Sequence, residues 1–297
     1  MSDSTAGLRH QIASAGDLQS VVRTMRALAA SNIGHYEKAV SALVDYDASI
    51  QLGIGACLRS EIGGADEPAR RLLEARAVGA IVFGSDQGLV GPFNDTIADR
   101  VIVALQGRAQ APTVWAVGER IAARLADAGI AVTATYPVPI SVDAIDMLVG
   151  RIQVDVETHP DQGNGANLLL FHNRPLPGAL YEPVDRRLLP LDGEWLATMS
   201  QIPWPNTVLP EVIGGGARAL PALVREYLFV SLYRACAESL ASENASRLAA
   251  MQRADKSIDE LLETLRGRLA RLRQGTIDAE LFDVIAGYEA LQVSRRA

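Results

Sequence analysis

All 14 prolines of this chain lie between Pro68 and Pro221, leaving one proline-free tract up to Glu67 and another from Ala222 to Ala297. A proline inside a helix removes a backbone donor, clashes with the preceding turn and costs about 3 kcal/mol, so each tract can be a single very long helix. Roughly fifty to seventy helical residues at about 1.5 Å each would reach about 75 to 105 Å, well beyond the width of a small domain. An element of that length suits mechanics or recognition better than it suits enclosing a pocket.

The apolar spacing predicts that the two tracts pair. Leu248, Met251, Asp255, Ile258, Leu262, Leu265, Leu269, Leu272 and Thr276 follow alternating steps of three and four, the coiled-coil period, and only Asp255 and Thr276 interrupt it. Leu8, Ile12, Ala15, Leu18, Val22, Met25, Ala29, Tyr36, Val40 and Leu43 trace a similar seam in the first tract, with Asn32 or Ile33 between Ala29 and Tyr36. They would form an antiparallel coiled coil if the middle of the chain returns the second tract to the side of the first.

Between them the texture changes. Val78 to Gly84, Thr113 to Gly118 and Asn167 to His172 are short apolar runs bounded by turn residues and read as buried strands. Helices are expected from Asp95 to Gln106 behind a cap at Asn94, from Glu119 to Ala128, and from Val142 to Glu157 behind a cap at Ser141. Alternating strands and helices make a mainly parallel sheet covered on both faces, a Rossmann-like α/β domain. The expected organisation is an N-terminal stalk helix over 1–67, the central domain over 68–216 and a C-terminal stalk helix over 217–297.

Composition narrows the function. A net charge of -7 argues against nucleic acid as the main partner, since a phosphate-tracking surface needs a basic excess or stripe. No apolar run approaches the roughly 18 residues needed to span a bilayer, and Met1 to His10 lacks the apolar core of a signal, so neither membrane insertion nor export is expected. Cys57 and Cys236 have no metal-type spacing and read as two thiols in a reducing compartment. The loop from Gly84 to Asn94 is glycine-rich but fits neither GxGxxG nor GxxxxGK[ST] and has no lysine to hold a phosphate. Gly88 and Gly91 are therefore read as turn formers. His10, His35, His159 and His172 are scattered, and no active site, metal site or cofactor site is legible.

The same residues carry a family resemblance. Ser85 to Asn94 (SDQGLVGPFN) resembles the TDRGLCGGxN loop of the gamma subunit of F-type ATP synthases. Leu8 to Ile33 is similar to that family's LRxRIxSVxNTxKITxAMxMVAASKM, and Leu240 to Met251 (LASENASRLAAM) resembles LASEQAARMxAM. Arg273 to Ile277 resembles ARQxxIT, and Glu280, Val284, Ile285 and Gly287 follow ITxEIxEIVxGA. Departures include Asn32 for the lysine after AAS, Ser20-Val21-Val22 for KIT, and Asp255-Lys256-Ser257 for TDN, marking a divergent member, as in alternate sodium-type enzymes.

The resemblance implies a central rotor stalk inside a ring of alpha and beta subunits, joined at its foot to the epsilon subunit and the membrane ring of c subunits. It further implies a peripheral position on the cytoplasmic side of the plasma membrane, a role in ATP synthesis and ion transport, and no active site on the stalk itself. Arg273 and Gln274 match the motif where the stalk meets the ring, Thr276 and Glu280 lie in the same stretch, and Met25 matches a position on the opposed helix. Arg266, Arg268 and Arg271 form a basic face with Arg273 that reads as simply solvated without the resemblance. Two rivals are a small-molecule α/β enzyme with a coiled-coil dimerisation arm and a coiled-coil scaffold; the first predicts ligand binding by the isolated chain, the second self-association.

Overall fold

The computed structural model describes residues 4–61, 78–106, 112–159, 167–176, 179–189, 193–206, 208, 210–212 and 215–294. The expected helical residues from 62 to 67 and the proline-free ends at 1–3 and 295–297 lie outside them. Two compact units divide the chain: Met1–Leu28 with Leu248–Ala297, and Ala29–Arg247.

The first unit is made from the beginning of helix α1 (Thr5–Ala42) and the end of helix α7 (Gly216–Ser294). Ala15 and Val22 of α1 pack with Met251, Ile258 and Leu262 of α7, and Ile12, Met25, Ala250 and Ala254 close over them. Gln19 bonds Asp259 and Arg26 bonds Asp255, so the two helices run antiparallel as the seam predicts.

On α1 one seam position is corrected. Leu18 is 55% exposed and Gln19, 9% exposed, takes its place. Steps from Ala15 to Gln19 to Val22 keep the four-three period, so the seam carries a polar residue where the sequence reading took the nearest apolar one. The reason is opposite: Asp255 is buried on α7, and Gln19 donates to its Oδ1 at 3.1 Å. A buried carboxylate selects donors over leucine, because leaving it unpaired costs more than burying Leu18 would return.

The second unit holds a five-stranded sheet in the order β3-β2-β1-β4-β5. Its strands are β1 (Val78–Phe83), β2 (Thr113–Val117), β3 (Val132–Tyr136), β4 (Asn167–Leu176) and β5 (Ala179–Leu189). The first four are parallel and β5 returns antiparallel beside β4. Side chains alternate between the faces, as a buried strand requires. Ile81, Phe83, Trp115 and Val117 point to one side, with Leu148, Val149 and Ile152 of α5 (Asp143–Thr158) and with Leu232, Cys236 and Leu240 of α7. Ala80, Val82, Val114 and Ala116 point to the other, against Ile97 and Val101 of α3 (Phe93–Leu105) and Ile121 and Leu125 of α4 (Glu119–Asp127). A third cluster joins Ile50 and Ile54 of α2 (Val44–Glu61) to Met199 of α6 (Gly193–Gln201) and to Val224 and Tyr227 of α7.

Strands β3 and β5 escaped the sequence reading because both are edges. Val132 to Tyr136 alternates exposed and half-buried residues before Tyr136, and β5 carries Pro183 and four charged residues, as unpaired edges tolerate. Two expected caps also differ: α3 begins one residue before Asn94, and neither Pro92 nor Val142 at the helix starts supplies a side-chain cap bond. The first tract is two helices, interrupted at Leu43. The last helix starts earlier than its proline-free tract, with Pro221 in its second turn, where the missing N–H forfeits one intrahelical bond.

Candidate functional site

A sheet of this order has a switch point between β1 and β4, where the chain leaves β1 in opposite directions and where ligands of open α/β sheets commonly bind. The Ser85 to Pro92 loop occupies that end of β1. Ser85 and Asn94 tie its two ends together: Ser85 N–H donates to Asn94 Oδ1 at 3.0 Å, Asn94 Nδ2 donates to Ser85 Oγ at 2.8 Å, and Ser85 Oγ donates to the Gln87 carbonyl at 3.0 Å. Asp86 accepts from the backbone N–H of Glu119 and of Val138. Gly91 has φ 58° and so turns the chain as expected, whereas the second left-handed position falls on Leu89, φ 63°, and not on Gly88. Gly118, φ 115°, approaches Ser85 so closely that a Cβ there would lie 2.7 Å from the Ser85 carbonyl oxygen.

Helix α7 then seals the crevice from the other side. Ser246 Oγ donates to the Val90 carbonyl, Ser242 Oγ donates to the Asn173 carbonyl at 3.0 Å, and Asn173 Nδ2 donates to the Phe93 carbonyl at 3.0 Å. Ser242 and Asn173 are fully buried. Glu243, beside them, pairs with Arg247; burial raises its carboxyl above the ordinary value, Arg247 pulls it back and Asp86 raises it further. Burial likewise pushes the Cys236 thiol up, with Glu243 adding to the effect. Cys57 and Cys236 are both buried and neither forms a disulfide. The glycine-rich loop thus fastens a helix to the sheet.

The predicted contact residues fall in the other unit. Arg273, Gln274, Thr276 and Glu280 are all exposed on α7, and so is every described side chain from Arg273 to Ala286. Gln274 Nε2 donates to Asp278 Oδ1 at 3.0 Å, and Thr276 Oγ1 donates back to the Leu272 carbonyl at 3.0 Å. Thr276 therefore leaves the seam that Leu269 and Leu272 continue half-buried. Met25 lies on α1, half-buried against the apolar cluster of the pair, so the structure does not place it with the other four. Arg266, Arg268, Arg271 and Arg273 are exposed, and among the described residues none meets a carboxylate at ion-pairing distance.

Sequence reasoning passed over an apolar stripe beside these residues. Ile277, Leu281 and Val284 are 57%, 57% and 70% exposed and stand four and three residues apart, so they line one face. Gln274 heads that line, with Arg273, Thr276 and Glu280 along its border. The signal was available: the apolar residues shift off the seam register after Leu272, which a helix pair would not do.

Comparisons with known proteins agree with this architecture. A family model described as ATP synthase matches residues 4–291. The ATP synthase gamma chain of Glaesserella parasuis serovar 5 (strain SH0165) is 27% identical over 293 residues, covering 96% of this chain and 98% of that protein. A chain of the Euglena gracilis mitochondrial ATP synthase superposes with a TM-score of 0.63 at 13% identity, covering 99% of this chain and 96% of its own. A chain from the central stalk and c-ring structure of the Tetrahymena thermophila mitochondrial ATP synthase gives 0.53 at 18% identity, covering 79% and 99%. The chain belongs to the ATP synthase family, and within it to the gamma chains.

Proposed function

We propose that this gamma chain turns as the shaft between a membrane ring of c subunits and a catalytic ring of alternating alpha and beta subunits, with an epsilon subunit at its foot. One observation carries the reading: α7 from Arg273 to Ala286 is bare and presents Ile277, Leu281 and Val284 beside exposed arginines. A soluble chain does not keep such a stripe on a regular helix without a surface to run against. An apolar stripe in an apolar sleeve gives low-friction contact, since dispersion and burial are non-directional and vary little with angle. The flanking Arg273, Gln274, Thr276 and Glu280 add directional contacts that exist at some angles only. Such contacts shift the relative energies of the ring's states, which is how a shaft without an active site of its own biases nucleotide binding and release.

The position proposed for the chain is peripheral, on the cytoplasmic face, and among the described residues no helix is long and apolar enough to cross a membrane. An enzyme on the central domain is not favoured, because Ser242 and Ser246 of α7 close the crevice where its ligand would sit. Co-expression with alpha- and beta-type subunits is the test. A stable complex that hydrolyses ATP, with an inert isolated chain, is expected; turnover by the pure chain that vanishes on mutating its own central domain would overturn the reading.

A further inference from the structure

We propose that Asp255 is a polar clasp that holds α1 and α7 in one register, so that this stretch of the shaft cannot slip or twist as a purely apolar pair could. The inference stands on the geometry of the helix pair and goes beyond the rotor reading. The Asp255 side chain is 11% exposed in the middle of the seam, one turn from Met251 and one from Ile258. Both of its oxygens are occupied from α1. Oδ1 accepts from Gln19 Nε2 and from Arg23 Nε, each at 3.1 Å, and Oδ2 accepts from Arg26 Nη1 at 2.7 Å. Gln19 Nε2 also donates to Asp259 Oδ1 at 2.5 Å, and Arg23 lies 3.7 Å from the same oxygen.

The apolar remainder of the seam is poor at fixing position. Ala15 and Val22 on α1 meet Ile258 and Leu262 on α7, small or similar side chains at a repeating interval. Sliding one helix by a heptad, about 10.5 Å, again sets apolar against apolar at little cost. The clasp does not survive the slide. One heptad toward the start of α1 puts Ile12, Gly16 and Gln19 opposite Asp255, with no cation; one heptad the other way leaves Arg26 beside Ala30 and Ile33. Only the observed register pairs the buried carboxylate with two arginines and an amide. A polar group in a helix seam has this specifying role at a cost in stability.

Nitroxides placed at the exposed positions His10 and Arg253 of the full-length chain test this by pulsed electron resonance, Cys57 and Cys236 being buried. The parent should give one narrow distance. The double variant Gln19→Leu with Asp255→Leu removes both buried polar groups while Arg23 and Arg26 stay partly solvated, so it should keep its helical signal in circular dichroism. Its distance should broaden or split by at least about 5 Å, one helical turn. Asp255→Asn, which preserves shape and removes the charge, should broaden it less, and it decides the matter if the double variant fails to pair. A merely structural Asp255 would shift melting without moving the distance. One narrow, unchanged distance in the paired double variant, or in Asp255→Asn where that variant does not pair, overturns the proposal.

Discussion

Two stretches of α7 have nearly the same sequence texture and opposite fates. From Met251 to Leu262 the apolar residues at three-four spacing are buried against α1; from Arg273 to Ile285 residues of the same kind and spacing stand in solvent. Period alone therefore says which face of a helix is adhesive and nothing about what covers it. The difference lies in supply. Leu8 is buried near the beginning of α1, and among the described residues no side chain of α7 beyond Leu272 is covered. The first stretch is a fold-stabilising seam, and the second is the surface that the proposed function assigns to other chains.

The largest expected contrast comes from placing the same substitution in both stretches. Leu262→Asp buries an unpaired charge in the seam and should cost about 3 kcal/mol or more, unpairing the helices while the sheet keeps its own core. Limited proteolysis should then cut within residues 5–28 and spare the strands; collapse of the whole fold at once would mean the two units are not separable. Ile277→Asp in the exposed stretch should change stability of the isolated chain by no more than about 0.5 kcal/mol. Its effect should appear as weakened assembly with the ring, and unaltered assembly would remove the stripe from the interface.

Ser246→Ala leaves the buried Val90 carbonyl with only the long bond from the Phe93 N–H at 3.4 Å, an expected loss of about 0.5 to 1.5 kcal/mol in chemical denaturation of the second unit. A smaller contrast is set by pH. Burial pushes the Asp255 carboxyl up, but hydrogen bonds from Arg23 and Gln19 and the charges of Arg23 and Arg26 outweigh it and hold the group below its ordinary value. Folding thus favours the ionised form. Its stabilisation is present above the unfolded-state value and is lost as pH falls through the lower, folded one, so acid should loosen the seam. Glu243 has the opposite sign: its folded value is raised, so its ionised form is disfavoured, and that penalty is relieved as pH falls below the folded value. Asp255→Asn should flatten the acid limb of helix pairing; an unchanged limb would assign the slope to another group.

The smallest effect on stability and a distinct effect on function belong to Arg273→Ala combined with Gln274→Ala. Both residues are exposed, and contacts of this kind contribute about 0 to 1 kcal/mol, so assembly should persist with the same stoichiometry. ATP hydrolysis or synthesis by the complex should fall. Unaltered turnover would take the pair out of the coupling mechanism, and failed assembly would make them structural.

Much of this was legible before any coordinates. The proline distribution and the seam through Ile258, Leu262 and Leu265 determined a pair of long helices, because backbone compatibility and period are local properties. The three apolar runs that became β1, β2 and most of β4 were likewise self-evident, as strands buried on both faces must be apolar throughout. What only the tertiary structure decided involves partners distant in sequence. Gln19 replaces Leu18 because Asp255, 236 residues later, accepts its hydrogen bond. The glycine-rich loop is a fastening because Ser246, 156 residues beyond Val90, reaches its carbonyl. A side chain's period is written in its neighbours, but the worth of a buried polar atom is set by whichever group the fold brings within about 3 Å of it.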